Sequence, residues 1–352
     1  MGGGCWKPVF NLLEADHRSI LVNAQHLQTV RGRKTDLKDV LGGWPSGCAL
    51  ACSRLASARP ICPQPIRELR ELTRERTTLV QERAQEVNRL HKVLESANMK
   101  LGAVASDVVG TSSRDMLAAL LAGEQDAAAM AELARGRLWA KLPALRQAVE
   151  GRVRSVHCVQ LRVLLAHIAF LEQALAELEE EIARLLGPFE EAVARAQTLP
   201  GGGQTAAVAL IAELGTDMSR FPTHRHLASW AGVCPGNKQS GGKRLSGHTT
   251  QGNPWLRSIL AEIAWAISHT KGTYLSVQFH RRARRLGKQK AVGAVSHSVL
   301  IIRYHMVRDH RRDADLGADS FDQLDRQRLE RHPVRRLEQL GFAVTLTPAP
   351  VA

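Results

Sequence analysis

The sequence predicts a mainly α-helical protein with a small α/β segment at its N-terminal end, and three observations point that way. Hydrophobic residues make up 44% of the 352 residues but aromatic ones only 4%, so any core is built mostly from Ala, Leu and Val. That composition favours helices over sheets. Leu161, Leu164, Ile168, Leu171, Leu175, Leu178, Ile182 and Leu185 recur at alternating steps of three and four, the spacing of a coiled-coil seam about four heptads long. One early apolar run, beginning at Ile20 in ILVNAQHL, suits a buried strand.

Taken in order, residues 1–39 read as a fragment in which the Ile20 strand is followed by GRKTDLKDV, a turn into a helix. Asp36 and Asp39 are three apart and share one face of that helix. Carboxylates so spaced suit a shared divalent metal; acids at a helix N-terminus also complement its dipole with no metal involved. Residues 40–65 scatter Gly, Pro, Ser, Ala and three of the six cysteines without any period. Helix returns over 66–100, where Leu69, Leu72, Val80, Val87, Leu90 and Leu94 form one stripe among Arg and Glu. Shorter helical patterns fill 101–156, with SSRDMLAALLAGE opening on a cap. The seam at 161–186 packs against the 66–100 helix folded back antiparallel, against the same helix of another subunit, or simply on its own domain.

The stretch from Leu199 to Arg257 concentrates the chemistry. Gly201, Gly202 and Gly203 lie between two helical runs and let backbone N–H groups approach a phosphate. Trp230, Val233 and Pro235 lead out of a short buried helix into what reads as an irregular loop. That loop carries Ser240 beside Gly241 and Gly242 and just before Lys243 and Arg244. A serine among glycines and cations suits phosphodiester chemistry, although ordinary loops use the same residue types. Residues 259–270 read as a buried helix; then Arg281, Arg282, Arg284, Arg285, Lys288 and Lys290 form a patch that, on a helix, would grip phosphates without reading sequence. VSHSVLIIRYHMVRD is a further apolar helix, with His297 and His305 as core or interface residues rather than ligands. From Arg311 the tail alternates charges and reads as loosely structured.

Charge narrows the function classes. The chain carries 48 Lys and Arg against 34 Asp and Glu, a net +14. Between Arg220 and Arg312, 17 Lys or Arg face only Glu262 and Asp309, so this segment holds more net charge than the whole chain. A basic segment of this size faces a polyanion, nucleic acid by default; the alternative is a generically basic protein. Six cysteines (Cys5, Cys48, Cys52, Cys62, Cys158, Cys234) form no CxxC pair and no zinc spacing. There is no signal peptide and no apolar run of about 18 residues, and Trp6 occupies the place where a myristoylation signal needs Ser or Thr. A bacterial cytoplasmic, nucleoid-associated protein is the expectation, with no membrane.

The order LPGGGQTA…AELG, then F…LASWAGVCPG, SGGK and GNPWLR resembles the C-terminal domain of the DEDD-type insertion-sequence transposases related to the Piv DNA invertases. Looser similarity runs from about residue 6 to residue 325. The resemblance implies that Ser240 is the nucleophile. It also implies that Asp36 and Asp39, in KTD-x-x-D, are the last two carboxylates of a four-carboxylate RuvC-like site that holds Mg2+. The family's second acid precedes a segment like WKPVFNLLE, which begins here at Trp6; Met1 falls about where that acid belongs. The resemblance therefore implies an N-terminally truncated copy with an incomplete RNase H-like sheet. Matching flanks around the aperiodic 40–65 stretch imply two compensating frameshifts, or else a flexible linker. Gly202 departs from the usual apolar middle residue of the Gly-x-Gly turn, which predicts a looser hairpin.

The expected domains are therefore 1–65, a truncated RuvC-like segment; 66–198, a helical region with an antiparallel coiled coil; 199–310, a helical transposase domain with a helix-hairpin-helix-like motif; and 311–352, a charged tail. The implied function is DNA strand cleavage and exchange in transposition, impaired in this copy by loss of the first two acids. Element-end and target DNA are the implied partners, with a guide RNA by kinship and a homo-oligomer through the coiled coil. Gly201, Gly203, Lys243, Arg244, Arg257 and the 281–290 cations are the expected nucleic-acid contacts. The rival reading is a non-catalytic DNA- or RNA-binding remnant of such an enzyme. A helix-hairpin-helix repair protein would rest on LPGGGQTA alone.

Overall fold

The computed structural model describes residues 6–14, 16, 62–236, 238–241, 243–321 and 334–345. The Ile20 run, Asp36, Asp39 and residues 40–61 lie outside them. The described chain is mainly α, in agreement with the composition, and its elements are joined by short connections. After α1 (Trp6–Leu13) come α2 (Gln64–Ser96), α3 (Leu101–Val104), α4 (Thr111–Leu121), α5 (Ala127–Glu132), α6 (Leu142–Val149) and α7 (Ser155–Leu185). Next are α8 (Glu190–Gln197), α9 (Gln204–Leu214), α10 (His224–Ala231), the strands β1 (Lys238–Ser240) and β2 (Lys243–Ser246), α11 (Pro254–His269), α12 (Tyr274–Leu286) and α13 (Lys288–Arg308).

The two long helices, α2 and α7, run antiparallel. Arg76 pairs with Glu179 and Arg83 with Glu172, each at 2.7 Å, so advancing along one helix retreats along the other. Arg114 of α4 reaches the same Glu172 at 2.6 Å. Burial alone would raise the Glu172 pKa, but the hydrogen bonds from Arg83 and Arg114 outweigh it and hold the carboxyl below its ordinary value. Of the seam residues, Leu161, Leu164, Ile168, Leu171 and Ile182 are buried, whereas Leu175, Leu178 and Leu185 are half-buried. The seam therefore packs best where α3–α6 or α8 cover its ends, and Val80 in the middle of α2 is 41% exposed.

One described helix, α7, is long and apolar enough to cross a membrane by length and composition. This corrects the expectation of no apolar run of that length; Arg162 within the helix conceals it. Its ion pairs to α2 and α4 instead make it part of the helical body.

Among the described residues, three buried clusters organise the fold. One, from Leu90 to Ile168, fills the space where α3–α6 close over α2 and α7. Another gathers α9–α13 around Leu210, Leu227, Leu260, Ile263, Leu275 and Val299. A junction cluster of Ile66, Leu69, Ile182, Val193, Ala207 and Ile211 joins the start of α2 to α8 and α9. Helix α9 is apolar almost all round because it faces both neighbours, as expected of a helix buried on two sides.

Two departures from expectation appear at the C-terminal end. Residues 313–321 are tied down rather than loose: Asp313 N–H donates to Thr198 Oγ1 (3.0 Å), Tyr274 N–H to Asp315 Oδ1 (2.9 Å), and Phe321 stacks on Tyr274 at 4.7 Å. Alternating charge concealed an aromatic anchor.

The second is Arg303 of α13, which is 1% exposed, with Nε and Nη2 lacking a partner among the described residues. Burial, followed by the positive charge of Arg195, pushes its pKa down to about 10. Arg303→Met keeps the volume and removes the desolvation cost, so it is expected to stabilise the chain by about 1–3 kcal/mol. A higher Tm in a thermal melt would show this; an unchanged or lower Tm would mean that the guanidinium contributes favourably.

Candidate functional site

Ser240 sits at the tip of a β-hairpin. The sequence read this stretch as an irregular loop, and the structure corrects that. Strands β1 and β2 pair antiparallel with Gln239 opposite Arg244 and Ser240 opposite Lys243. Two positions therefore separate the strands, and Gly241 has φ +54°, the left-handed geometry of tight hairpin turns. The missed signal was the Gly241-Gly242 pair between polar strand residues. Ser240, Gly241 and Lys243 are exposed. For Arg244 only the strand backbone is described.

The hairpin's base is narrow and rigid. Helix α10 ends at Gly232, whose φ of +70° is a left-handed cap. A Cβ on Gly232 would lie 2.7 Å from Gly252 N, and one on Gly252 would lie 2.2 Å from Ala231 O. The two legs of the loop thus cross where only glycines fit. Just beyond, Pro235 bridges to Thr249, and Gly236 N–H donates to His248 O at 2.8 Å. Arg257, exposed on α11, reaches Thr249 Oγ1 at 3.4 Å and so lies against this base.

The return leg ends on Asn253, which caps α11. Its Oδ1 accepts from Trp255 N–H (3.1 Å) and Leu256 N–H (3.3 Å), while its Nδ2 donates to Glu213 at the end of α9. Glu213 is 3% exposed and takes a bidentate grip from Arg74 of α2 at 2.7 and 2.9 Å. Sequence reasoning passed over all three residues. The available signals were an acid at the end of the otherwise apolar QTAAVALIAEL and an Asn-Pro helix start.

The three glycines of the α8–α9 turn do different things. Gly201 (φ +73°) packs on α11, where a Cβ would meet Ile263 O at 2.9 Å. Gly202 is buried, and its N–H donates to Leu199 O at 2.8 Å. A Cβ there would lie 2.8 Å from Ala196 O, so the turn is closed rather than loosened by this glycine. Gly203 is exposed and precedes α9, whose first N–H groups receive no side-chain cap. They open on a cleft of about 380 Å³ lined by Arg74, Thr77, Gly203, Gln204, Glu213 and Trp255 among others. Of the turn, then, Gly203 leaves backbone donors available to an anion.

The cationic patch is divided between two helices. Arg281, Arg282, Arg284 and Arg285 are on α12, Gly287 (φ +85°) breaks the chain, and Lys288 and Lys290 start α13. The patch thus lies on two helices rather than one, because Gly287 takes a backbone conformation that a helix interior excludes. Arg281 lies over the Phe321 ring at 5.1 Å. His297 is half-buried, and burial, then His224 and Arg282, lower its pKa. His305 packs at a tilt beside His224, ring centroids 5.5 Å apart, and lies 3.8 Å from Asp309. Among the described residues no group of three or more His, Cys, Asp or Glu is placed to hold a metal. Asp36 and Asp39, on which the metal expectation falls, are outside them.

Comparison with known proteins decides the family. A family model described as Transposase IS116/IS110/IS902 family matches residues 193–280, the segment with the glycine turn, the Ser240 hairpin and the first half of α12. A second, for DEDD-type IS110 transposases, matches residues 1–99. The chain belongs to the IS110 family of transposases. The chain is similar to the pilin gene-inverting protein of Moraxella bovis, 31% identical over 153 residues, 41% of this chain and 47% of that protein. The protein of the same name in Moraxella lacunata aligns to the same extent. A Sinorhizobium fredii protein named as a putative transposase is 27% identical over 318 residues, 86% of this chain and 74% of that protein. The match spans about half the length of the curated Moraxella relatives. In this transposase family a divalent metal accompanies the DEDD domain.

Proposed function

We propose that this chain cleaves and exchanges DNA strands in the movement of an insertion sequence, with Ser240 as its nucleophile. The observation that carries the reading is the hairpin. It holds a serine hydroxyl in solvent beside a lysine, on two strands clamped at a glycine crossing. Ser240 Oγ attacks a backbone phosphorus; an Oγ–P bond forms as a P–O ester bond breaks, and the proton lost from Oγ balances the one that the departing deoxyribose oxygen takes up. Lys243 and Arg244 offset the negative charge that develops on the phosphoryl oxygens. Asp36 and Asp39 are the residues that would hold Mg2+. The RuvC-like assignment of residues 1–65, the coiled-coil reading of 66–198 and the helix-hairpin-helix reading of the α8–α9 turn belong to the same proposal.

Binding to element-end and target DNA is assigned to the 281–290 cations, Arg257, and the backbone at Gly203, with Gly201 fixing the turn. A guide RNA, a homo-oligomer built through α2 and α7, and a cytoplasmic, nucleoid-associated location complete the reading. Replacing Arg282, Arg284 and Arg285 together by alanine is expected to weaken DNA binding on the order of tenfold to a hundredfold at physiological salt. It should also flatten the plot of log affinity against log salt by up to about three. Equal slopes for the triple variant and wild type would remove the patch from the interface.

The test of function incubates the full chain with DNA carrying the element ends and Mg2+, with and without RNA transcribed from the element. Joined strands that disappear on chelation support the enzyme. Tight, salt-sensitive binding with no cleavage under any of these conditions supports a non-catalytic nucleic-acid-binding protein.

A further inference from the structure

We infer that Glu213 is a positioning residue for the Ser240 hairpin, acting through Asn253, and that Arg74 ties this position to the long helix α2. The catalytic consequence rests on the strand-exchange reading above; the mechanical link does not.

Asn253 is the hinge of the argument. Its amide oxygen caps α11 through Trp255 N–H and Leu256 N–H, and its amide nitrogen faces the Glu213 carboxylate. Only this orientation of the amide satisfies both sides. Asp, Ser or Thr would cap a helix as well as Asn, but an ionised Asp has no donor for Glu213, and Ser or Thr would have to serve both sides from one oxygen on a shorter side chain. The identity of residue 253 is thus explained by the link to Glu213 rather than by capping. The preceding residue, Gly252, is the one whose backbone lies against Ala231 where the legs of the hairpin cross. Fixing Asn253 therefore fixes the return leg one residue from the crossing, and with it the direction in which the tip points.

Glu213 in turn is held from α2. Arg74 binds both of its oxygens, and the same guanidinium lies over the Trp255 ring at 5.6 Å. Trp255 is in the first turn of α11, so α2 grips that turn through a carboxylate and through an indole. One turn earlier, Arg70 Nε donates to Ala212 O at 2.8 Å, anchoring the end of α9 to the same helix. Glu213 is almost without contact with solvent, so its charge is balanced through these partners. A tilt of the α2–α7 pair would reach the hairpin through these contacts, which places the tip under the control of the longest described helix.

The test exploits the reversibility of the Glu213–Asn253 hydrogen bond. Asn253→Asp keeps the helix cap but sets a carboxylate against Glu213. Adding Glu213→Gln restores a donor–acceptor pair with the direction reversed: the introduced glutamine Nε2 donates to the introduced aspartate, its Oε1 keeps the Arg74 Nε bond, and only the Arg74 Nη2 bond to the former Oε2 is given up. In the full chain, hydrogen–deuterium exchange across residues 238–246 is expected to quicken at least about tenfold in N253D and to return within about threefold of wild type in the double variant. Single-turnover strand transfer at saturating DNA should fall and recover in parallel, with Kd for DNA unchanged. Hairpin exchange unaffected by N253D, or a double variant as perturbed as the single, would overturn the inference. If exchange follows the predicted pattern but no variant, wild type included, joins strands, the positioning link stands and the strand-exchange reading falls.

Discussion

Ser240→Ala is expected to lower strand transfer by at least about three orders of magnitude while leaving folding and DNA affinity unchanged. The size follows from the role: without Oγ there is no atom at the hairpin tip to form the bond to phosphorus, and Lys243 stabilises charge only on a reaction that has begun. Folding is untouched because Ser240 is exposed, and alanine suits the backbone of a short strand. Affinity is untouched because the phosphate contacts proposed for binding lie on α11, α12 and α13 and at Gly203 before α9, not on the Ser240 side chain. The variant separates chemistry from binding: a Kd within about twofold of wild type, with joined product lost, is the expected pair of results. A modest fall in rate would make Ser240 a spectator and move the nucleophile elsewhere.

Gly252→Ala is expected to destabilise the chain by about 3 kcal/mol or more and to abolish strand transfer. The added Cβ would lie 2.2 Å from Ala231 O, 2.3 Å from Ala231 C and 2.4 Å from Gly232 N. All three are backbone atoms at the end of α10, so no rotamer change relieves the clash; the legs of the hairpin must part. Gly241→Ala provides the contrast. Its φ of +54° makes alanine strained by about 1–2 kcal/mol, but nothing lies within 4 Å of the added carbon. Denaturant melts should therefore rank G252A well below G241A. Equal stability for the two would mean that the crossing at Ala231 is not the constraint that shapes the loop.

What the sequence disclosed, and what it did not, follows from the range of the interactions. The steps of three and four at 161–185 and the stripe at 66–94 reflect local periodicity, and both lie on long helices, α7 and α2. The family was legible because LPGGGQTA, LASWAGVCPG and GNPWLR are short and ordered. The cluster of Arg74, Glu213 and Asn253 was not, because it joins three helices across 139 and 40 residues of sequence, and its local signals, an acid in an apolar helix and an Asn-Pro helix start, do not point to each other. The hairpin was hidden for a different reason: its strands are short and polar, without the apolar alternation that marks a strand buried on one face. The break at Gly287 was passed over because charge was counted across 281–290 and backbone conformation was not. The docking of residues 313–321 depends on Phe321 finding Tyr274, which charge alternation could not show.

The central claim, that Ser240 carries the covalent step, is tested most directly by trapping it. The full chain would react with element-end DNA and Mg2+, be quenched in denaturant, and be digested with nuclease and protease before mass spectrometry. The account predicts a nucleotide phosphodiester on the peptide that contains Ser240, absent from the S240A variant. Cleaved DNA with no adduct at Ser240, or an adduct on another residue, would contradict it.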